Sequence, residues 1–109
     1  MIVTKPVVLL ALLAALLGTS RQSSAAAQSI GLAFVREHCA SCHAIGKSGD
    51  GPHPAAPPFR RISDFYSLDR LAEMLEAGRL YASHPDMPTF KFDRDSTRAL
   101  IEYLRSIQE

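Results

Sequence analysis

The sequence carries no excess of charge of either sign: 12 Lys and Arg stand against 11 Asp and Glu. That balance excludes a strongly basic nucleic-acid binder. Cysteine is scarce, with only Cys39 and Cys42. No second C-x-x-C accompanies them, and no H-x3-5-H pair apart from the motif itself completes four zinc ligands. No βαβ pattern surrounds them, as a thioredoxin-like redox dithiol needs. A disulfide across so short an offset closes a small, strained loop. No stretch alternates as a strand does, and no internal repeat is present. The longest apolar run, Val7 to Leu17, has eleven residues, against the roughly 20 needed to span a bilayer.

That run is what a secretory signal requires. Lys5 precedes it, a polar stretch from Thr19 to Ser24 follows, and Ala25 and Ala27 supply small residues at −3 and −1 of a cleavage site. Residues 1–27 are therefore expected to be removed as a signal peptide, with residues 28–109 as the single mature domain. The alternative is an uncleaved N-terminal anchor. No cysteine stands at a lipoprotein cleavage position. Cleavage takes away Lys5 and Arg21, leaving ten cations against eleven carboxylates, a net charge of −1 with His neutral. An 82-residue domain has a limited core and benefits from a staple or a packed ligand. Export delivers it to an oxidising compartment, the periplasm.

The mature region reads as all-α. A first helix is expected from about Ser29, as cap, to Cys42, with Leu32 and Val35 apolar at i, i+3. Gly46, Gly49, Gly51, Pro52, Pro54, Pro57 and Pro58 break up Ala44 to Phe65. Irregular chain of this length needs something to pack on. A second helix runs from about Leu68 to Ala77, with Ser67 as cap, a stripe of Leu68, Leu71 and Leu75, and Gly78 as stop. The last runs from about Asp95 to Ile107, capped by Asp93 or Asp95, with Leu100, Tyr103, Leu104 and Ile107 on its buried face.

Cys39-Ala40-Ser41-Cys42-His43 carries the chemistry. On one helical turn, positions i, i+3 and i+4 share a face, so two thiols and an imidazole can address one flat ligand. C-x-x-C-H is a covalent haem attachment pattern. The thiols can form thioethers with the two vinyl groups of a porphyrin, and His43 can bind its iron. A methionine thioether on the other face favours ferrous iron and raises the reduction potential. Met1 leaves with the signal, and Met74 sits between Leu71 and Leu75 as core packing. Met87 lies in the loop His84-Pro85-Asp86-Met87-Pro88, where proline restricts the backbone outside any helix. Its rival is His84, which would lower the potential. His38 points off the motif's face, and His53 has no evident role.

With these residues in view, the chain resembles the class I c-type cytochromes, small mono-haem electron carriers. Gly31 stands eight residues before Cys39, where that family has a glycine at the crossing of its N- and C-terminal helices. Leu100 and Tyr103 match the leucine and aromatic that meet it. Val35 departs from the family's aromatic, with Phe34 beside it as a compensating ring. Met87-Pro88 looks like the family's ligand loop. Pro57 resembles the proline whose carbonyl receives the Nδ1–H of the haem histidine, and Pro52 is a second candidate for that role. The resemblance implies a small cytochrome c fold, three or more short helices around one covalently attached haem c per chain, with iron between His43 and Met87.

A haem with two protein ligands has no open position for a substrate, so the expected work is one-electron transfer and not enzyme catalysis. The implied partners are a redox donor and acceptor, a dehydrogenase or an oxidase among them, met through small, transient contacts. Two other classes stay open: a haem relay subunit of a larger exported dehydrogenase, and a sensor or peroxidase-like protein with a labile sixth ligand. Arg60, Arg61 and Lys91 are candidate partners for haem propionates. With only Lys47 and Lys91 in the mature chain, lysine-based steering of an acidic partner is weak.

Overall fold

The computed structural model describes residues 4–80 and 86–109, with side chains from Arg21 onward. Among the described residues three α-helices and one 3₁₀ helix follow one another: α1 (Thr4–His38), the 3₁₀ helix (Phe59–Asp64), α2 (Leu68–Glu76) and α3 (Arg94–Ile107). No strand occurs among the described residues, in keeping with the all-α expectation. Among the described residues no helix is long and apolar enough to cross a membrane.

The first helix differs from its expected bounds at both ends. Ser29 does not cap it. Its hydroxyl instead donates to the Ala25 carbonyl one turn back, 3.1 Å away. The alanines at 25–27 are the strongest helix formers, and nothing there breaks propagation into the preceding segment. At the other end α1 stops at His38, before the cysteines. The chain then closes one further turn: His43 N–H donates to Cys39 O at 3.0 Å, so the motif keeps a helix-like face without belonging to α1.

Helices α2 and α3 form close to the expected residues, because each has a cap and an apolar stripe. The Ser67 hydroxyl accepts from Arg70 N–H at 3.2 Å, and the Asp93 carboxylate from Ser96 N–H at 2.8 Å. Those Ser96 bonds hold the Asp93 carboxyl below its ordinary range. Leu71, Leu75, Leu100 and Leu104 are buried between the two helices and the cavity described below.

Helix α1 crosses α3 at Gly31. A Cβ there would fall 2.1 Å from Ala99 O and 2.7 Å from Tyr103 Cβ, so only glycine lets the two backbones meet. The expected partners were Leu100 and Tyr103. Ala99 takes the first place, because one residue along α3 turns Leu100 by about 100° away from α1, into the cavity wall. Val35 is fully buried. Phe34 does not stand in for it: its ring packs edge-on against Phe92 at 4.8 Å and lies 4.5 Å from His38.

The segment Ala44 to Phe65 was expected to be irregular throughout, yet its end is the 3₁₀ helix. Pro58, extended at φ −65°, ψ 139°, feeds a run in which every third residue is apolar. In a 3₁₀ helix, positions i and i+3 eclipse, so Phe59 and Ile62 line up, and Phe65 continues the row. All three face the cavity.

Candidate cofactor site

A cavity of about 820 Å³ lies between the attachment turn, the Gly/Pro segment, the 3₁₀ helix, α2, α3 and the Met87 loop. It falls within the range of roughly 300–1,000 Å³ typical of cofactor pockets. Cys39, Cys42, His43 and Met87 all line it. Much of the remaining wall is apolar, from Leu71 and Leu75 on α2 to Leu100 and Leu104 on α3.

The attachment turn is fixed from outside. His43 Nδ1 lies 2.7 Å from Pro57 O. A carbonyl only accepts, so Nδ1 carries the proton and Nε2 keeps its lone pair for a metal. Pro52, the other sequence candidate, takes no part in that bond. The Phe59 ring lies 4.6 Å from the imidazole, and Phe59 N–H donates to Ala44 O at 2.9 Å. Tyr103 O–H donates to the carbonyl of Ile45, tying α3 to the chain just past the motif. Gly51 presses on the turn itself: a Cβ would fall 2.4 Å from Cys42 O and 2.5 Å from Ala44 N.

The two cysteines are unbridged and half-buried. Burial pushes the Cys39 thiol up to about 11, the opposite of the depressed thiol of a reactive dithiol. Among the described residues no group of three or more His, Cys, Asp and Glu could hold a metal ion. The cavity wall instead carries the His43 imidazole and the Met87 thioether beside two thiols, with His53 and, against its expected orientation, His38 on the same wall. It fits a covalently held haem.

The other sequence candidates are sorted by position. Met87 is half-buried in the cavity wall. Its rival His84 lies outside the described residues. Met74 was expected in the core. It is half-buried on α2 but belongs neither to the buried core nor to the cavity wall, since the α2 face turned inward is that of Leu71 and Leu75. Arg60 and Arg61 do not line the cavity. Arg60 donates to Gly49 O at 2.7 Å and pairs with Glu109 at 3.3 Å, and Arg61 pairs with Asp64 at 2.9 Å. Lys91 is exposed, its stem 3.2 Å from where a Gly78 Cβ would stand.

Sequence reasoning missed two contributors. His53 joins the cavity wall and bonds Asp86, 33 residues on. Gln108 donates to Phe59 O at 2.8 Å and to Leu104 O at 2.9 Å, and accepts from Ser63 N–H at 3.0 Å. It pins to α3 the 3₁₀ helix that carries Phe59. Neither residue sits in a motif, so no local pattern could have pointed to them.

A family model described as Cytochrome c matches residues 29–108. No curated protein and no solved structure gives a significant match.

Proposed function

The chain belongs to the cytochrome c family, and from that premise we propose that it is an exported one-electron carrier with His43 and Met87 as axial ligands. The family membership itself implies a haem-binding electron carrier that works with redox protein partners. The finer reading is supported above all by one observation: Cys39, Cys42, His43 and Met87 line the same cavity.

Haem c supplies an iron that cycles between ferric and ferrous states. The chain's own residues do the rest. Cys39 and Cys42 would hold the haem through thioether bonds. Pro57 O holds the Nδ1 proton of His43, which fixes the imidazole and strengthens Nε2 as a donor. Met87 offers a soft sulfur that favours the reduced state. The leucines of α2 and α3 exclude water and keep the surroundings of low polarity. With His43 and Met87 both held in the cavity wall, a bound haem would exchange an electron with little rearrangement of the chain. Residues 1–27 act as the export signal, and the mature chain works in the periplasm.

The test begins with haem retention. The protein matured by a c-type system keeps its haem through acid–acetone extraction, and haem that extracts into the organic phase refutes attachment at Cys39 and Cys42. Met87→Ala removes the weak red-edge charge-transfer band of ferric Met-ligated haem, lowers the potential and opens the ferrous form to carbon monoxide. If His84→Ala does this and Met87→Ala does not, the carrier is a bis-His protein of low potential. N-terminal sequencing of the exported product finds a start near Gln28. A product that keeps Met1 and stays membrane-bound refutes cleavage.

A further inference from the structure

We infer that His53 is a positioning residue for Met87, acting through Asp86. The inference rests on the reading of Met87 as the axial ligand. His53 Nε2 lies 3.1 Å from Asp86 Oδ2, and Asp86 is joined to Met87 by a single peptide bond. Ala55 N–H donates to His53 Nδ1 at 3.1 Å. Nδ1 is therefore the acceptor of this ring, and the proton sits on Nε2, aimed at the carboxylate. The tautomer is set by the loop's own backbone.

The backbone of His53 is committed as well. Its N–H donates to Cys42 O at 3.1 Å, and its carbonyl accepts from Ala56 N–H at 3.2 Å. One residue thus holds the attachment turn with its main chain and the ligand loop with its side chain. The His53 side chain is 24 % exposed and Asp86 68 %, so the pair is no buried ion pair of large energy. Its leverage comes from where it acts. A thioether is a weak donor, and its occupancy of the iron depends on how closely the loop keeps the sulfur in reach. A bond to the residue next to Met87 restricts that sulfur in the most direct way the loop allows. His53 does not itself serve as a ligand, since both ring nitrogens have partners.

The experiment uses the mature ferric holoprotein and imidazole, which competes with the methionine for iron. His53→Ala and Asp86→Ala each raise the apparent affinity for imidazole by about fivefold, the factor that matches the upper end of a solvent-exposed ionic hydrogen bond. Both weaken the charge-transfer band. His53→Gln, whose amide N–H reaches where Nε2–H stood, restores most of the wild-type affinity. In a Met87→Ala background, His53→Ala changes imidazole affinity no further, because the ligand it positions is gone. If His53→Ala fails to fold, Asp86→Ala cuts the same bond from the other side. Wild-type imidazole affinity in both variants overturns the inference, and so does an effect that persists undiminished in the Met87→Ala background. A Met87→Ala protein that keeps its band and its affinity refutes the ligand assignment instead, so the two failures are told apart.

Discussion

The two sides of the cavity are held in different ways. On the His43 side, the imidazole has a carbonyl at 2.7 Å and a ring at 4.6 Å, and the turn beneath it has Gly51 against its backbone. These contacts come from residues 51–59, which are themselves pinned to α3 by Gln108. On the Met87 side, the loop is tied at Asp86 through an exposed carboxylate, and at Phe92, whose N–H donates to Leu75 O at 3.1 Å. The first arrangement is partly buried and rests on backbone atoms. The second has a backbone bond at Phe92, five residues past Met87, and beside Met87 a side-chain pair that water can reach, which contributes at most about 1 kcal/mol. Ligand exchange is therefore expected on the Met87 side, with His43 staying in place.

The strongest break of this contrast is Gly51→Ala. The added methyl meets Cys42 O, Ala44 N and His43 C, all within 2.7 Å, and backbone atoms cannot swing aside. The expected cost is about 3 kcal/mol, the upper part of the overpacking range, with a matching fall in the yield of haem-bearing protein. Gly46→Ala is the partner experiment, because nothing lies within 4 Å of its Cβ. It should stay within about 0.5 kcal/mol of wild type. Equal denaturation midpoints for the two variants would show that Gly51 does not brace the turn.

Next comes Phe59→Leu. It keeps an apolar side chain but loses the ring beside His43, at an expected cost of about 1–2 kcal/mol for a half-buried aromatic. The charge-transfer band should survive, since the Met87 side is untouched. A band lost here, with stability unchanged, would mean that the two sides are coupled more tightly than their contacts indicate.

How much of this was legible beforehand follows from how far each signal reaches. Helices α2 and α3 announce themselves through Ser67, Asp93 and leucines at helical spacing, all local features. The start of α1 was hidden because a serine that caps well also tolerates a helix interior by bonding back to Ala25. The 3₁₀ helix was hidden because Pro57 and Pro58 read as breakers, although one of them sets the φ from which the helix starts. Cys39, Cys42, His43 and Met87 stand out by residue type and spacing. The bonds His53–Asp86 and Gln108–Phe59 span 33 and 49 residues, and no pattern within the chain links their ends. Likewise, nothing in the sequence distinguishes Gly51 from Gly46, since the difference lies in what the fold brings against each.

Gln108→Ala removes one donated bond, to Phe59 O, and one accepted bond, from Ser63 N–H, that join the end of α3 to the 3₁₀ helix, and a second donated bond back to Leu104 O within α3. Water can replace the side chain at the exposed Ser63 N–H, while Phe59 O and Leu104 O are partly buried. The loss should be about 1 kcal/mol, seen as a lower denaturation midpoint at unchanged slope. A midpoint equal to wild type would show that the 3₁₀ helix holds Phe59 against His43 without help from α3.

The smallest effect belongs to Met74→Leu, and it sharpens the contrast most cleanly. Met74 is a second thioether among the described residues, carried on α2 one position before Leu75. A helical side chain is constrained by its rotamers and by its neighbours on the same turn. Leu71 and Leu75 take the inward face of α2, and Met74 does not reach the cavity wall. Leucine has a similar volume, so the swap should cost under about 1 kcal/mol. The charge-transfer band, the potential and the imidazole affinity should all match wild type. The measurement to make is the ferric spectrum of Met74→Leu beside that of Met87→Ala. A band that disappears in the first and persists in the second would move the sulfur ligand from a loop to a helix. The weakly tied side of the cavity would then rest on α2, which is itself packed on α3, and the contrast between the two sides would collapse.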